Sequence, residues 1–237
     1  MPVSPHLRRK PLVGLRHRPD NPVMEPPTLT TERLVLRPHV PADVPETHAA
    51  CQDPEIQRWI PVPVPYGEQD AVEYVTRNAP ARWEDGTEYN FAARLGAEGP
   101  LVATLGLHRR GDFAYEIGFW ATAAHRGRGY TTEAVPALAR WAFTELGCDR
   151  LIWRADVGNT ASLAVAEKAG FTIEGVLRAG MEHRDTLRDC WVGSLLPADL
   201  GLPSRLPYLP APARAAGTVA QGPRHPAASS RAVSGRP

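Results

Sequence analysis

The sequence predicts a mixed α/β domain of the α+β type, with a mostly antiparallel, twisted sheet and helices on both of its faces. Two observations carry this prediction. Three strand-like segments follow one another at residues 88–95, 101–109 and 113–120, and glycines mark the turns between them, as in hairpins. The second half of the domain then alternates between strands and helices.

The length of 237 residues suits one medium domain with tails. Residues 1–27 are rich in proline and arginine and lack periodicity, which predicts a disordered N-terminal extension; a translation start at Met24 is an alternative. Residues 28–200 form the predicted domain. Residues 201–237 hold seven prolines, five arginines and no acidic residue, which predicts a disordered Pro/Ala/Arg-rich tail.

Composition excludes several classes of protein. The formal net charge is +1, so no overall field argues for a nucleic-acid partner. No apolar run approaches the ~20 residues of a membrane span, and no apolar segment follows the arginine-rich start, so a secretory signal is not predicted. Cys51, Cys148 and Cys190 lack the spacing of a metal knuckle. These features predict free thiols in a cytoplasmic protein without a membrane partner or a metal.

The first half of the domain begins with an alternating strand at residues 33–37. Short helices interrupted by prolines follow at residues 41–53 and 54–60. A longer helix is predicted at residues 68–84, because its apolar residues recur on one face. The three hairpin strands come next.

The second half opens with a helix at residues 130–146, which Gly147 ends. Pro136 lies inside this helix, where it removes one N–H and should bend the helix or crowd it. Beyond it the pattern predicts a strand, a helix and two last strands at residues 151–155, 159–169, 171–178 and 186–195.

The stretch HRGRGYTTEA, residues 125–134, places two glycines among arginines immediately before a helix. Glycine lets an anion approach the backbone, the first N–H groups of a helix have no internal partner, and the helix dipole favours negative charge there. Arginines add charge-assisted hydrogen bonds. We therefore predict a pyrophosphate cradle formed by Arg126, Gly127, Arg128, Gly129, Tyr130 and Thr131.

Other interpretations of this stretch stay open. A P-loop requires a lysine, which the stretch lacks. A dinucleotide fingerprint would put its third small residue at Thr132 and its acidic residue at Asp156, where the spacing fits poorly. A glycine turn that merely joins a strand to a helix is the structural alternative.

The chain closely resembles the Gcn5-related N-acetyltransferase (GNAT) family in two runs, EIGFWATAAHRGRGYTTEAVPALARWAF and VGNTASLAVAEKAGFTIEGVLR. The opening TTERLVLRPHVPADVPETHAACQDPEIQRWI resembles the RimJ/RimL-like branch, which acetylates protein N-terminal amines among other substrates. The resemblance spans residues 28–197 and implies the GNAT fold, with the glycine stretch as the pyrophosphate cradle of acetyl-CoA. One departure is Ala124, where the family loop often begins with Gln or Arg.

The resemblance also implies contacts along the coenzyme. The backbone of Ile117, Gly118 and Phe119 would pair with the pantetheine arm and polarise the thioester carbonyl. Asn159 would contact the pantetheine chain. Ser162 resembles the serine of the branch's N-x-x-S motif, whose hydroxyl can hydrogen-bond the sulfur. The last two residues also fit the start of a helix, and the two roles are compatible.

Acetyl transfer to an amine requires a base for the amine, stabilisation of the oxyanion and a proton for the departing sulfur. We predict Glu116 as the base, because it lies on the strand YEIGFW, where the family often places a carboxylate. A solvent-exposed strand glutamate is the alternative. The tyrosine that many members use as the acid is missing at Ala166. By the resemblance, Ser162 is the second catalytic candidate.

These observations predict an N-acetyltransferase that moves an acetyl group from acetyl-CoA to a primary amine, either a small molecule or a protein N-terminus. A non-catalytic acyl-CoA sensor or scaffold is the alternative, and a nucleic-acid module acting through basic tails is a third interpretation. The branch also suggests a homodimer. Residues that could line the acceptor pocket, against the alternatives of a surface hairpin or core packing, are Trp59, Tyr66, His183, Arg184 and Asp189.

Overall fold

The computed structural model describes residues 25–211. Contacts divide the chain into a compact unit that runs to Arg205 and a second unit that begins at Leu206. The described part of the second unit, residues 206–211, contains no helix or strand. The predictions for residues 1–24 and 212–237, including the start at Met24, lie outside the described residues, and the domain limits at 28 and 200 stay predictions.

Within its described residues, the first unit contains eight strands and six α-helices. The strands are β1 (Leu29–Thr30), β2 (Leu34–Arg37), β3 (Glu88–Leu95), β4 (Leu101–Arg109), β5 (Ala114–Ala121), β6 (Arg150–Asp156), β7 (Thr172–Glu182) and β8 (Leu187–Leu195). The helices are α1 (Val44–Cys51), α2 (Pro54–Trp59), α3 (Glu68–Glu73), α4 (Ala79–Glu84), α5 (Tyr130–Thr144) and α6 (Thr160–Lys168).

All eight strands form one sheet in the order β1-β2-β3-β4-β5-β6-β8-β7. Among these strands only β5 and β6 pair in parallel; the other neighbours are antiparallel. Parallel neighbours require a crossover connection, and α5 supplies it. The prediction of a mostly antiparallel sheet is confirmed, and the parallel pair flanks the glycine stretch.

One face of the sheet forms the main core with α5 and α6. Tyr89, Leu107 and Ile117 lie side by side on β3, β4 and β5 and are buried together with Leu138 of α5. Because strand residues alternate between faces, the intervening residues of β3–β5 point to the opposite side. That side is covered by the first helices, where Cys51, Ile56, Tyr66 and Ala71 form a smaller cluster with Trp120 packed against it. Helices therefore lie on both faces, as predicted.

Three local features differ from the sequence prediction or add to it. β1 was not predicted, because two residues carry no periodic pattern. The predicted helix at 68–84 is helical throughout but widens between α3 and α4 at Tyr74–Asn78, where Ala79 N–H donates to the Tyr74 carbonyl. α5 runs uninterrupted through Pro136, and its buried face offsets the hydrogen bond that proline removes.

The three cysteines are free and buried. Burial raises the pKa of the Cys51 thiol to about 11 and that of the Cys148 thiol to about 12. Both therefore stay protonated and weakly reactive near neutral pH. Of the helices within residues 25–211, none has the length and apolar character needed to cross a bilayer.

Candidate active site

The glycine loop connects the end of β5 to α5. Gly129 is the N-cap of α5, and both Gly127 and Gly129 have positive φ, at 74° and 78°. Side chains with a Cβ are strained in this left-handed region, so the loop conformation itself favours glycine. A Cβ at Gly127 would meet no protein atom within 4 Å. The space above Gly127 is therefore free for a ligand, and the loop fits a diphosphate that approaches the backbone.

Arg33, which follows β1, fixes the loop from outside the motif. Its Nη1 donates to the Arg128 carbonyl at 3.0 Å, and its guanidinium lies 4.6 Å above the Tyr130 ring. Its Nε also donates to Glu133 on the first turn of α5 at 2.6 Å. Sequence reasoning missed Arg33, because 95 residues separate it from Arg128 and no local pattern links them.

The two arginines of the motif have different surroundings. Arg126 forms an ion pair with Asp53 at the start of α2, and its Nε donates to the Ala121 carbonyl. Arg128 is exposed. A diphosphate over the loop would thus meet Arg128 directly, whereas Arg126 is shared with Asp53. Thr131 is buried under the first turn of α5, so its backbone is the part that can face an anion.

A cleft opens where β5 and β6 diverge. Their last shared residue pair is Ile117 with Trp153; beyond it, β5 pairs only with β4, and β6 only with β8. The cleft has a volume of about 710 Å³ and is lined by residues of both strands. One edge of β5 after Ile117 therefore offers backbone N–H and C=O groups that pair with no described strand. Such groups can bind an extended, amide-containing ligand.

The structure brings six of the predicted site residues together in this cleft: Glu116, Ile117, Gly118, Phe119, Asn159 and Ser162. The glycine-loop residues do not line the cleft; they lie beyond the end of the same strand. The predicted contacts thus follow one path, from the glycine loop along β5 into the cleft.

Glu116 lies in the cleft with 14% of its side chain exposed. Its Oε2 accepts three hydrogen bonds, at 2.9 Å from Arg110 Nε and at 3.0 and 2.7 Å from Arg154 Nε and Nη2. Two guanidinium groups therefore occupy this oxygen with charge-assisted hydrogen bonds. This geometry does not test the prediction that Glu116 is the base. The sequence did not predict Arg110 and Arg154 as partners of Glu116.

Ser162 and Asn159 occupy the start of α6, as predicted. The Asn159 side chain accepts a hydrogen bond from Ser162 N–H at 3.2 Å, so asparagine is the N-cap. The Ser162 hydroxyl accepts from Trp153 Nε1 at 3.0 Å. Because that oxygen is already an acceptor, its own proton is available to a ligand in the cleft. Ala166, in the position of the missing tyrosine, is fully buried.

The wall of the cleft opposite α6 is polar. Glu88, Asn90, Thr104 and His108, from β3 and β4, face it. Glu88 is buried, and its pKa falls to about 2. Burial alone would raise the pKa, because it favours the neutral carboxyl. The hydrogen bond and the charge of His108, together with hydrogen bonds from Arg82 and Asn90, outweigh this effect of burial. Glu88 is therefore an anion at neutral pH.

The other acceptor candidates are dispersed. Trp59 and Tyr66 line the cleft. His183 is buried, with Nδ1 at 3.6 Å from Asp156 Oδ2. The hydrogen bonds of the remaining two join the protein's own loops: Arg184 donates to the Gln57 carbonyl, and Asp189 accepts from Ala179 N–H. Within residues 25–211, no group of three or more His, Cys, Asp or Glu side chains could hold a metal ion.

A family model, a sequence relative and two solved structures are among the known proteins that match this chain. A family model described as an acetyltransferase (GNAT) domain matches residues 33–172. The putative ribosomal N-acetyltransferase YdaF of Bacillus subtilis is 37% identical over 101 residues, which are 42% of this chain and 55% of YdaF.

Two solved structures share the fold. A GNAT-family acetyltransferase from Bacillus anthracis has a TM-score of 0.65 and 28% identity, covering 73% of this chain and 99% of that one. Mycobacterium smegmatis RimJ, solved in complex with CoA-disulfide, has a TM-score of 0.67 and 22% identity, covering 76% and 93%. At that identity the likeness to RimJ concerns the fold alone.

Proposed function

Because the chain belongs to the Gcn5-related N-acetyltransferase family and is an acetyltransferase, we propose that it moves an acetyl group from acetyl-CoA to a primary amine by direct attack on the thioester. One observation carries the proposal: the unpaired edge of β5 leads from the cleft to the glycine loop at the start of α5. A coenzyme with a diphosphate at one end and an amide-rich arm at the other matches that path.

Each segment of the path has a role in this proposal. Gly127, Gly129 and the first N–H groups of α5 bind the diphosphate, with charge from Arg128. The backbone of residues 117–119 pairs with the pantetheine arm and polarises the thioester carbonyl. Asn159 contacts the arm, and Ser162 gives a hydrogen bond to the departing sulfur. Glu116 stays a prediction for the base.

The cleft favours a cation, because its lining within residues 25–211 contains six carboxylates and only three arginines, Arg82, Arg110 and Arg154. The excess of negative charge attracts an ammonium group before it loses its proton. The six carboxylates are those of Asp70, Glu73, Glu88, Glu116, Asp156 and Glu182. We propose a protein N-terminus as the acceptor, because YdaF is named as a putative ribosomal N-acetyltransferase. A small primary amine is the competing acceptor. The homodimer and the cytoplasmic location also stay predictions.

The proposal is tested with the full chain, acetyl-CoA and a panel of acceptors. The panel contains peptides that differ in their N-terminal residue, the same peptides with the N-terminus blocked, and small primary amines. We expect saturable acetyl-CoA binding by calorimetry, and free thiol released with unblocked peptides only. Binding without thiol release from any amine would instead support a sensor or scaffold, and absence of binding would contradict the coenzyme path.

Ser162→Ala tests the proposed hydrogen bond to sulfur. We expect turnover to fall by roughly ten- to a hundredfold with acetyl-CoA affinity retained. Ser204→Ala, a change at an exposed serine, is the matched control and should behave as the unaltered protein does. Equal rates for the two variants would remove Ser162 from the mechanism.

A further inference from the structure

The polar wall of the cleft contains a carboxylate–imidazole pair that the roles above leave unused. Strand register places Glu88 opposite His108 and His108 opposite Glu116, so the three side chains form one row across β3, β4 and β5. His108 Nδ1 lies 3.3 Å from Glu88 Oε2. All three residues line the cleft.

Glu88 fixes which nitrogen of the ring can act as a base. A neutral imidazole carries its proton on one nitrogen and a free lone pair on the other. With Nδ1 directed at an anionic carboxylate, the proton belongs on Nδ1 and the lone pair on Nε2. Arg82 binds the same Glu88 oxygen from α4, which holds the carboxylate in place.

Two glycines leave room around Nε2. This atom lies 3.6 Å from the position that a Cβ would occupy on Gly106, and equally far from that on Gly118. Gly118 is the middle residue of the β5 segment that we assign to the thioester. The His108 side chain is 37% exposed, so Nε2 is open to the cleft. Its lone pair is thus beside the proposed place of the reacting carbonyl.

His108 and Glu116 differ in the hydrogen bonds made by the atom that would accept the proton. Glu116 Oε2 takes three N–H bonds from Arg110 and Arg154, whereas the contact that His108 makes with Glu88 is through Nδ1 and leaves Nε2 outside it. Arg82 on α4, Arg110 after β4 and Arg154 on β6 form ion pairs with this row. The carboxylates of Asp70, Glu73, Asp156 and Glu182 line the same cleft. Tyr74, between α3 and α4, is partly buried and lines the cleft near Glu88; burial raises its pKa, so it stays neutral.

We propose that His108 is the general base of the acetyl transfer and that Glu88 is its positioning residue; this inference rests on the proposed function. The acceptor ammonium gives one proton to His108 Nε2. The free amine then attacks the thioester carbonyl, and a C–N bond forms. When the tetrahedral intermediate collapses, the C–S bond breaks and the second amine proton ends on the sulfur. His108 returns its proton to water.

The experiment compares pH profiles of kcat/KM for His108→Gln, Glu116→Gln and Glu88→Gln, each checked for folding by its melting temperature and for acetyl-CoA affinity by calorimetry. We expect His108→Gln to lose about a hundredfold in kcat, with coenzyme affinity retained, and to lose the acidic limb of the profile. Glu116→Gln should keep that limb. Glu88→Gln should keep it but move it to lower pH, because a neutral amide no longer stabilises the imidazolium.

Two further variants make the result specific. Arg109→Gln, at the next and exposed residue of β4, is the matched control and should leave the profile unchanged. His108→Ala should regain at least tenfold in rate when imidazole is added, roughly the recovery expected for a base that only accepts a proton.

An acidic limb that persists in His108→Gln, or that disappears in Glu116→Gln instead, would overturn the assignment of the base and leave the acetyltransferase proposal intact. If the unaltered chain released no thiol with any amine, the proposed function would fail and this inference with it.

Discussion

The proposed coenzyme side, which runs from the glycine loop into the cleft, and the proposed acceptor side are built in opposite ways. On the coenzyme side, the proposed contacts come mainly from one continuous stretch, residues 117–131, and largely through its backbone. On the acceptor side, side chains from several strands are held by partners on other elements, some of which are far away in the sequence. Arg154 is 38 residues from Glu116, and Arg188 is 32 residues from Asp156. A motif therefore predicts the coenzyme site, whereas the proposed acceptor site is assembled only by folding.

The largest expected effect is that of Asp43→Asn, in a charge cluster that joins distant segments of the chain outside the lining of the cleft. The Asp43 side chain is fully buried and accepts hydrogen bonds from Arg37 at 2.7 and 2.8 Å and from Arg94 at 2.7 Å. The amide would leave Arg37 without its anion, whereas Arg94 would keep Glu46 at 2.8 Å, so we expect a loss of about 3 kcal/mol in the free energy of unfolding, measured with urea. Asp112→Asn, at a side chain that is 68% exposed, is the control and should change little.

The pH dependence of stability is the next largest effect. Burial lowers the pKa of His39 to about 4, with Asp43 opposing and Arg37 and Arg94 adding to the shift. Below about pH 6.5 the unfolded chain takes up a proton that the folded chain refuses down to about pH 4. We therefore expect the free energy of unfolding to fall by roughly 3 kcal/mol as the pH drops through this window.

His39→Phe removes this titration and should flatten the stability profile over the same window. Neither ring nitrogen of His39 has a hydrogen-bond partner, so the apolar ring leaves no polar group unpaired. The carboxylate of Glu88 contributes in a separate window: its lowered pKa stabilises the fold above about 4.5, and that stability is lost as the pH falls toward about 2. A slope unchanged in His39→Phe would assign the effect to other groups.

On the coenzyme side, Gly127→Val should weaken acetyl-CoA binding by about a hundredfold, or ~2.7 kcal/mol, because the side chain fills the space above the loop. Calorimetry measures the change. Gly96→Val is matched in backbone strain, since Gly96 also has a positive φ, 67°, and nothing within 4 Å of its Cβ position. Equal affinity in the two variants would locate the diphosphate elsewhere.

The smallest expected effect is that of Arg33→Ala. Arg33 contacts the glycine loop although it lies 95 residues before Arg128 in the sequence. It is therefore a distant contact on a side of the site that is otherwise built from neighbouring residues. We expect acetyl-CoA affinity to fall by about three- to tenfold, since an exposed ion pair and a cation–π contact are each weak. Arg140→Ala, on the exposed face of α5, is the control. A hundredfold loss would mean that the glycine motif does not define the coenzyme side alone.

The sequence predicted those features that depend on neighbouring residues. The glycine loop, the Asn159 cap and the strands of the hairpins all arise from turns, caps and alternation within about ten residues. Arg33 and Arg154 were not predicted as partners, since each lies far along the chain from the residue it contacts. The Glu88–His108 pair and the contact of Arg110 with Glu116 were not predicted either, since they depend on the register of the hairpins and on side-chain orientation. Charge partners on different strands leave no periodic pattern in one sequence.

The divergence of β5 and β6 has a mechanical consequence. Only four residue pairs, from Ala114–Arg150 to Ile117–Trp153, join the half of the sheet formed by β1–β5 to the half formed by β6, β8 and β7. A pantetheine arm bound between the diverging ends of β5 and β6 would extend the pairing between the two halves of the sheet for as long as the coenzyme is bound. Coenzyme binding would then also make the connection between the two halves of the sheet more rigid.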